Sequence, residues 1–179
     1  PDQEHRLNIM SRRISLREFQ ENLARRLAEA KTGERRGLLG IQAGSENWLL
    51  DLAETGEILT PSALAAVPLT RDWYRGLANV RGTLYGVVDF SRFHHGAPTP
   101  AVGSARLLLI GARLGVHSAL LVTRVLGLRS REDFEPDSGL ADERPWVRER
   151  VRDMQDHPWL RLDTSRLLAH SAFLDAGTD

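Results

Sequence analysis

Between Val67 and Phe93 the chain reads V-P-L-T-R-D-W-Y-R-G-L-A-N-V-R-G-T-L-Y-G-V-V-D-F-S-R-F. The pattern predicts a short amphipathic piece, Leu69 to Arg75, running into Gly76. An apolar strand follows (Leu77, Ala78, Val80), interrupted at Asn79-Val80-Arg81-Gly82, and a second strand, Thr83 to Val88, ends on Asp89. Gly82 is the natural position for a positive φ or a bulge, because a residue without a Cβ turns there at no steric cost. Arg81 beside it is then a cation fixed on a stiff β corner, able to pair with a carboxylate of a partner or with Asp89 of its own domain. Gly76 reads as structural, since a side chain would crowd the approach to the strand. Asp89 reads as the cap of a short turn from Phe90 to Phe93.

Upstream, Leu16, Phe19, Leu23 and Leu27 recur three and four apart, which predicts a helix from Ser15 to Ala30. Ser15 with Glu18 has the form of a capping box and Gly33 of a left-handed stop. Its charged face (Glu21, Arg25, Arg26, Glu29) is solvated if the helix packs on its own domain; otherwise the helix docks on a partner or a second copy. From Gly37 the period changes to two: Leu38 to Ala43 and Trp48 to Leu52 flank the turn signal Gly44-Ser45-Glu46-Asn47, which is a hairpin. Glu54 to Leu59 extends as a strand until Thr60-Pro61-Ser62 breaks it. The expected division is a helical extension over residues 1–35 and a β domain over 36–179.

Downstream, Phe93 to Pro100 has the Gly and Pro content of a loop separating two strand-rich halves. The second half opens with Ala105 to Gly111, turns at Ala112 to Gly115 and returns along Val116 to Val125, with Leu126 to Leu128 as an extension. Arg129 to Glu143 reads as a charged loop, Trp146, Val147 and Val151 as a strand with a helical turn over Val147 to Arg152 as the alternative, His157-Pro158 as a break, and Trp159 to Leu162 as the last strand. Asp163 or Thr164 then caps a closing helix carrying Leu167, Leu168 and Phe173. Many short, half-apolar strands favour a mainly β fold of two small barrel-like halves, joined around Gly96 to Pro100, since closure removes free edges.

Composition narrows the function. Lys+Arg 24 against Asp+Glu 24 leaves no net charge, so nothing draws the chain towards nucleic acid or anionic lipid. With Cys 0 there is no thiolate metal site or disulfide. No apolar run approaches the ~20 residues of a membrane span, so a soluble intracellular domain without membrane insertion is expected. His94 and His95 are adjacent and diverge in an extended chain, and His5, His117, His157 and His170 lack ligand spacing, so no metal is expected. His117 and Ser118 likewise diverge on a strand. No catalytic residue and no cofactor is expected, since nucleophile elbows, P-loops and dinucleotide fingerprints are missing. The rival expectation is a β-barrel enzyme or ligand-binding module with a pocket lined by Trp48, Trp73 or Trp159.

The central stretch resembles a known signature. Gly76-Leu77-Ala78-Asn79-Val80-Arg81-Gly82 with Tyr85-Gly86-Val87-Val88-Asp89 is similar to the "G-x-x-N-[LV]-R-G-x-x-x-x-[VL]-[VI]-D" pattern of the CheW family, the coupling proteins of bacterial chemosensory arrays, and in detail to the PilI-like branch that serves type IV pili and twitching motility. Glu57-Ile58, Asp133-Phe134-Glu135-Pro136 and Trp159 to Asp163 with Leu167 resemble further family segments in order. The resemblance implies two packed five-stranded, SH3-like barrels, to which the periodicity adds an N-terminal helix outside the match and a short C-terminal helix. It implies a non-enzymatic cytoplasmic adaptor between a CheA-type histidine kinase regulatory domain and the cytoplasmic tip of a methyl-accepting chemoreceptor, held at membrane-bound receptor arrays. Carried over residue by residue, it makes Asn79, Arg81 and Gly82, with Glu57 and Ile58 on an adjoining strand, the receptor-binding candidates.

Overall fold

The computed structural model describes residues 20, 21, 23, 24, 27, 28, 37–139 and 141–178. The chain divides into two compact units, Pro1–Arg36 and Gly37–Asp179. The described residues of the first unit are helical, with Leu23 and Leu27 exposed. The proposed cap at Ser15 and Glu18, the stop at Gly33, and Leu16 and Phe19 lie outside the described residues.

Among its described residues the second unit contains eleven strands. They are β1 Leu38–Ala43, β2 Glu46–Asp51, β3 Thr55–Leu59, β4 Tyr74–Val80, β5 Thr83–Asp89, β6 Arg106–Ile110, β7 Ser118–Val122, β8 Arg124–Arg129, β9 Phe134–Pro136, β10 Val147–Asp153 and β11 Pro158–Leu162. Three short helices complete it: α1 Phe90–Phe93, α2 Thr164–Ala169 and α3 Ser171–Leu174. A six-stranded sheet runs β8-β1-β2-β11-β10-β9 and a five-stranded sheet runs β3-β6-β7-β5-β4. The fold is mainly β, as the alternation predicts.

The division into sequential halves is corrected. The six-stranded sheet takes β1 and β2 from one end of the sequence and β8 to β11 from the other, joined by the parallel pair of β2 with β11. The five-stranded sheet uses the middle of the chain, joined by the parallel pair of β5 with β7. The Gly96–Pro100 loop lies inside that middle segment and divides nothing. The crossing between sheets falls instead at Thr123, within what reads as one long strand. There the Thr123 amide donates to the Gln42 carbonyl (2.8 Å), while its hydroxyl accepts from the Gly44 amide (2.9 Å). Those bonds tie the end of β7 to the β1–β2 turn, and β8 continues alongside β1.

Alternation along the strands explains why both sheets read as apolar on consecutive residues. In β6, Leu108 and Ile110 enter a large core shared with the other sheet, while Leu107 and Leu109 enter a cluster made only by the five-stranded sheet and its connections. In β2, Trp48 and Leu50 face the shared core and Leu49 faces a third cluster with Leu38, Val151 and Trp159. Each sheet therefore packs one face on its neighbour and curls around the other, which is consistent with small barrels.

Three local expectations change. The short amphipathic piece expected from Leu69 to Arg75 is not one element: Leu69 has φ 56, the segment is held by the Thr70–Gly177 bridge and by the Arg71 amide on the Ala176 carbonyl (2.8 Å), and Tyr74 and Arg75 belong to β4. The Arg129–Glu143 loop contains a 3-10 turn, Arg131–Asp133, and the edge strand β9, whose Pro136 is tolerated there because its outer side needs no donor. The closing helix is two helices, α2 capped by Asp163 and α3 capped by the His170 ring, because His170 adopts extended angles between them.

Candidate functional site

Strands β4 and β5 pair antiparallel from Tyr74↔Val88 to Val80↔Thr83, leaving Arg81 and Gly82 as a two-residue turn. Both have positive φ, 50 for Arg81 and 86 for Gly82, as a type I′ turn requires. The Asn79 carboxamide oxygen accepts from the Gly82 amide at 2.9 Å and closes the corner. Positive φ at Gly82 is the turn chemistry anticipated there; positive φ at Arg81 was not legible, since arginine carries no such signal.

The Arg81 guanidinium forms an ion pair with Glu57 of β3, and both side chains are exposed. The Glu57 carboxylate, by hydrogen bond and by charge, raises the guanidinium pKa above its ordinary value. These two groups come from opposite edges of the five-stranded order, β3 and the β4–β5 tip. Their contact shows that the sheet has curled until its edges approach. Ile58, next to Glu57, is 42% exposed, and Leu84, opposite Asn79 in the register, is 54% exposed. Leu84 was missed by sequence reasoning; an apolar residue facing outward near a hairpin tip is the signal that could have found it.

Asn79, Arg81, Gly82, Glu57 and Ile58 are thus brought to one end of the five-stranded sheet. Gly76 and Asp89 are not: Asp89 lies six residues along β5 from Thr83, about 20 Å, and Gly76 lies opposite Val87, about 13 Å from the tip. The alternative pairing of Arg81 with Asp89 is therefore corrected. Asp89 is fully buried and holds Arg75 (3.2 Å), the Thr99 amide (2.7 Å) and hydroxyl (2.8 Å), and the Arg92 amide that it caps (3.2 Å). Gly76 has φ 113, and a Cβ there would stand 2.3 Å from the Ala65 carbonyl oxygen, which bonds to β4 across an isolated bridge.

The remaining candidates resolve into core. Trp48 is buried in the shared core and Trp159 in the third cluster; Trp73 lines a cleft, with Phe93 and Trp146. His94 stacks on Trp48 with ring centroids 4.9 Å apart. Its Nε2 accepts from the Trp146 indole (3.0 Å), so Nδ1 carries the proton and donates to the Phe90 carbonyl (2.7 Å). Burial pushes its pKa down to about 4, with only partial compensation from that carbonyl. A neutral, fully bonded imidazole is a packing element. Among the described residues no group of three His, Cys, Asp or Glu side chains could hold a metal, and no helix is long and apolar enough to cross a membrane.

Comparison with known proteins accounts for this geometry. Protein PilI of Pseudomonas aeruginosa is 26% identical over 143 residues, covering 76% of this chain and 78% of that protein. The crystal structure of the scaffolding protein TtCheW from Thermoanaerobacter tengcongensis superposes with a TM-score of 0.63 over 77% of this chain and 95% of that one, at 16% identity. The CheW-like domain family matches residues 37–172, the whole of both sheets and α2, and the chain belongs to that family.

Proposed function

We propose that this chain is a non-enzymatic coupling protein of a chemosensory array controlling type IV pili, joining a CheA-type histidine kinase to the cytoplasmic tip of a chemoreceptor. Family membership and the likeness to PilI support the role. The observation that carries the site is the exposed Glu57–Arg81 pair beside Ile58, set on a curled sheet edge and a type I′ corner. A charged pair that is exposed and rigidly mounted adds little to folding, because solvent screens it. It is well suited to recognition, where charge fixes register and an adjacent apolar residue supplies buried area.

The mechanism is geometric. A kinase on one face and a receptor on the other are held at a fixed relation by one rigid body, so a receptor shift biases the kinase equilibrium. Weak contacts gain strength from the effective concentration within an array at the membrane. Arg81→Ala should weaken capture of the receptor tip while leaving the melting temperature within about 4 °C. Unchanged capture would remove Arg81 from the site. Reconstitution with kinase and receptor, measuring phosphorylation with and without this chain, tests the role itself.

A further inference from the structure

A cleft of about 410 Å³ opens beside α3, walled by Trp73, Phe93 and Trp146. Phe93 lies 5.2 Å by ring centroid from each of the two tryptophans, and all three belong to the shared core. The walls are therefore rigid before anything binds, and the volume is within the ~300–1,000 Å³ of small-ligand sites. The Glu57–Arg81 surface does not include this cleft.

The polar groups at its mouth are unequal. Arg71, His95 and Arg144 bring N–H groups, against the single carboxylate of Asp175. Arg144 is heavily committed, with four of its five N–H groups held by Glu46 through both Nη atoms (3.0 and 2.9 Å) and by Asp142 through Nε (2.8 Å) and Nη2 (2.7 Å). Arg71 is not. Its Nε donates to the Asp175 main-chain oxygen at 2.9 Å, but Nη2 reaches the Asp175 carboxylate only at 3.4 Å. That contact is at the limit of a hydrogen bond, and the two side chains are 47% and 68% exposed. An incoming carboxylate with better geometry can displace Asp175 into solvent at small cost.

We infer that this cleft binds a small organic anion, its apolar body against Trp73, Phe93 and Trp146 and its carboxylate on the Arg71 guanidinium. The site is independent of the coupling role and is tested without it. Nitrogen-15-labelled protein is titrated with 3-phenylpropionate, 3-phenylpropanol and 3-phenylpropylamine, reading the indole N–H signals of Trp73 and Trp146. The anion should bind with a Kd of about 1 mM, as expected for a ligand of this size, and the alcohol about fivefold more weakly. The amine should not shift the signals. Arg71→Gln should abolish the advantage of the anion over the alcohol, and Asp175→Asn should tighten the anion about threefold by removing its competitor. Because Arg71 also touches the C-terminal segment, Asp175→Asn is the cleaner arm: a gain for the anion supports the site and a loss overturns it. Absence of any indole shift at about 10 mM anion, or an amine that binds as well as the anion, also overturns it.

Discussion

At Asp89 four donors converge on two buried oxygens: Arg75 and the Thr99 amide on one, the Thr99 hydroxyl and the Arg92 amide on the other. Strand end, helix start and the loop to β6 are thereby fastened at one carboxylate. Asp89→Ala removes the acceptor from the Thr99 and Arg92 amides and the Thr99 hydroxyl and leaves Arg75 only the Thr99 carbonyl (2.9 Å), so urea denaturation should show a loss of about 3–5 kcal/mol. His94 works in the opposite sense, since what it must avoid is charge. With a folded pKa of about 4 against an unfolded value near 6.5, the unfolded chain binds more protons throughout that interval. The stability this contributes is whole above pH 6.5 and falls by about 3 kcal/mol as pH drops to 4. The carboxylates of Asp137, Asp142 and Asp153, whose pKa values are lowered, add a further loss only below about pH 4. Urea midpoints at pH 7, 6, 5 and 4 should therefore decline already between 6.5 and 4, and His94→Gln should flatten that decline; an unchanged slope in the variant would show that other groups cause it.

The β4–β5 hairpin separates two uses of glycine that the sequence alone presents alike. Gly82 has φ 86 and open space around its Cβ position, so Gly82→Ala should cost only the strain of a left-handed residue, about 1 kcal/mol. Gly76 has φ 113 and faces the Ala65 carbonyl at 2.3 Å, so Gly76→Ala must break the bridge from residue 65 to β4. Its cost should exceed about 3 kcal/mol, and thermal melts of the two variants should differ in that order. The hairpin was legible because turn chemistry is local: Asn79 and Gly82 announce a corner whatever surrounds them. The crossing at Thr123 was not, since Leu120 to Val122 and Val125 to Leu128 are apolar on either side of Thr123-Arg124 with no Gly or Pro at the step, and only distant partners, Gln42 and Gly44, decide where the chain leaves one sheet. The burial of His94 was hidden for the same reason, inside a stretch with loop composition. The candidate site was legible through its resemblance to a family motif; the contact it depends on joins Glu57 and Arg81, 24 residues apart on two sheet edges, and no periodicity reports it.

At the scale of the molecule, the six-stranded sheet is assembled from both ends of the sequence and the five-stranded sheet from its middle, and one apolar core receives side chains from each. Neither sheet can be withdrawn without exposing Leu39, Ile41 and Trp48 on one side or Val88, Leu108 and Leu120 on the other. The two sheets should therefore unfold as one cooperative unit, a property that suits a body whose proposed work is to hold two partners at a fixed relation. Leu108→Ala in the five-stranded sheet and Leu162→Ala in the six-stranded sheet both delete buried side chains of the shared core, each at about 3 kcal/mol. Followed by tryptophan fluorescence in urea, each variant should shift the same single transition, with the slope unchanged. A biphasic curve in which Leu108→Ala moved one step and Leu162→Ala the other would show two independently folding lobes. The angle between docked partners would then be free to vary, and the rigid-body account of coupling would fail with it.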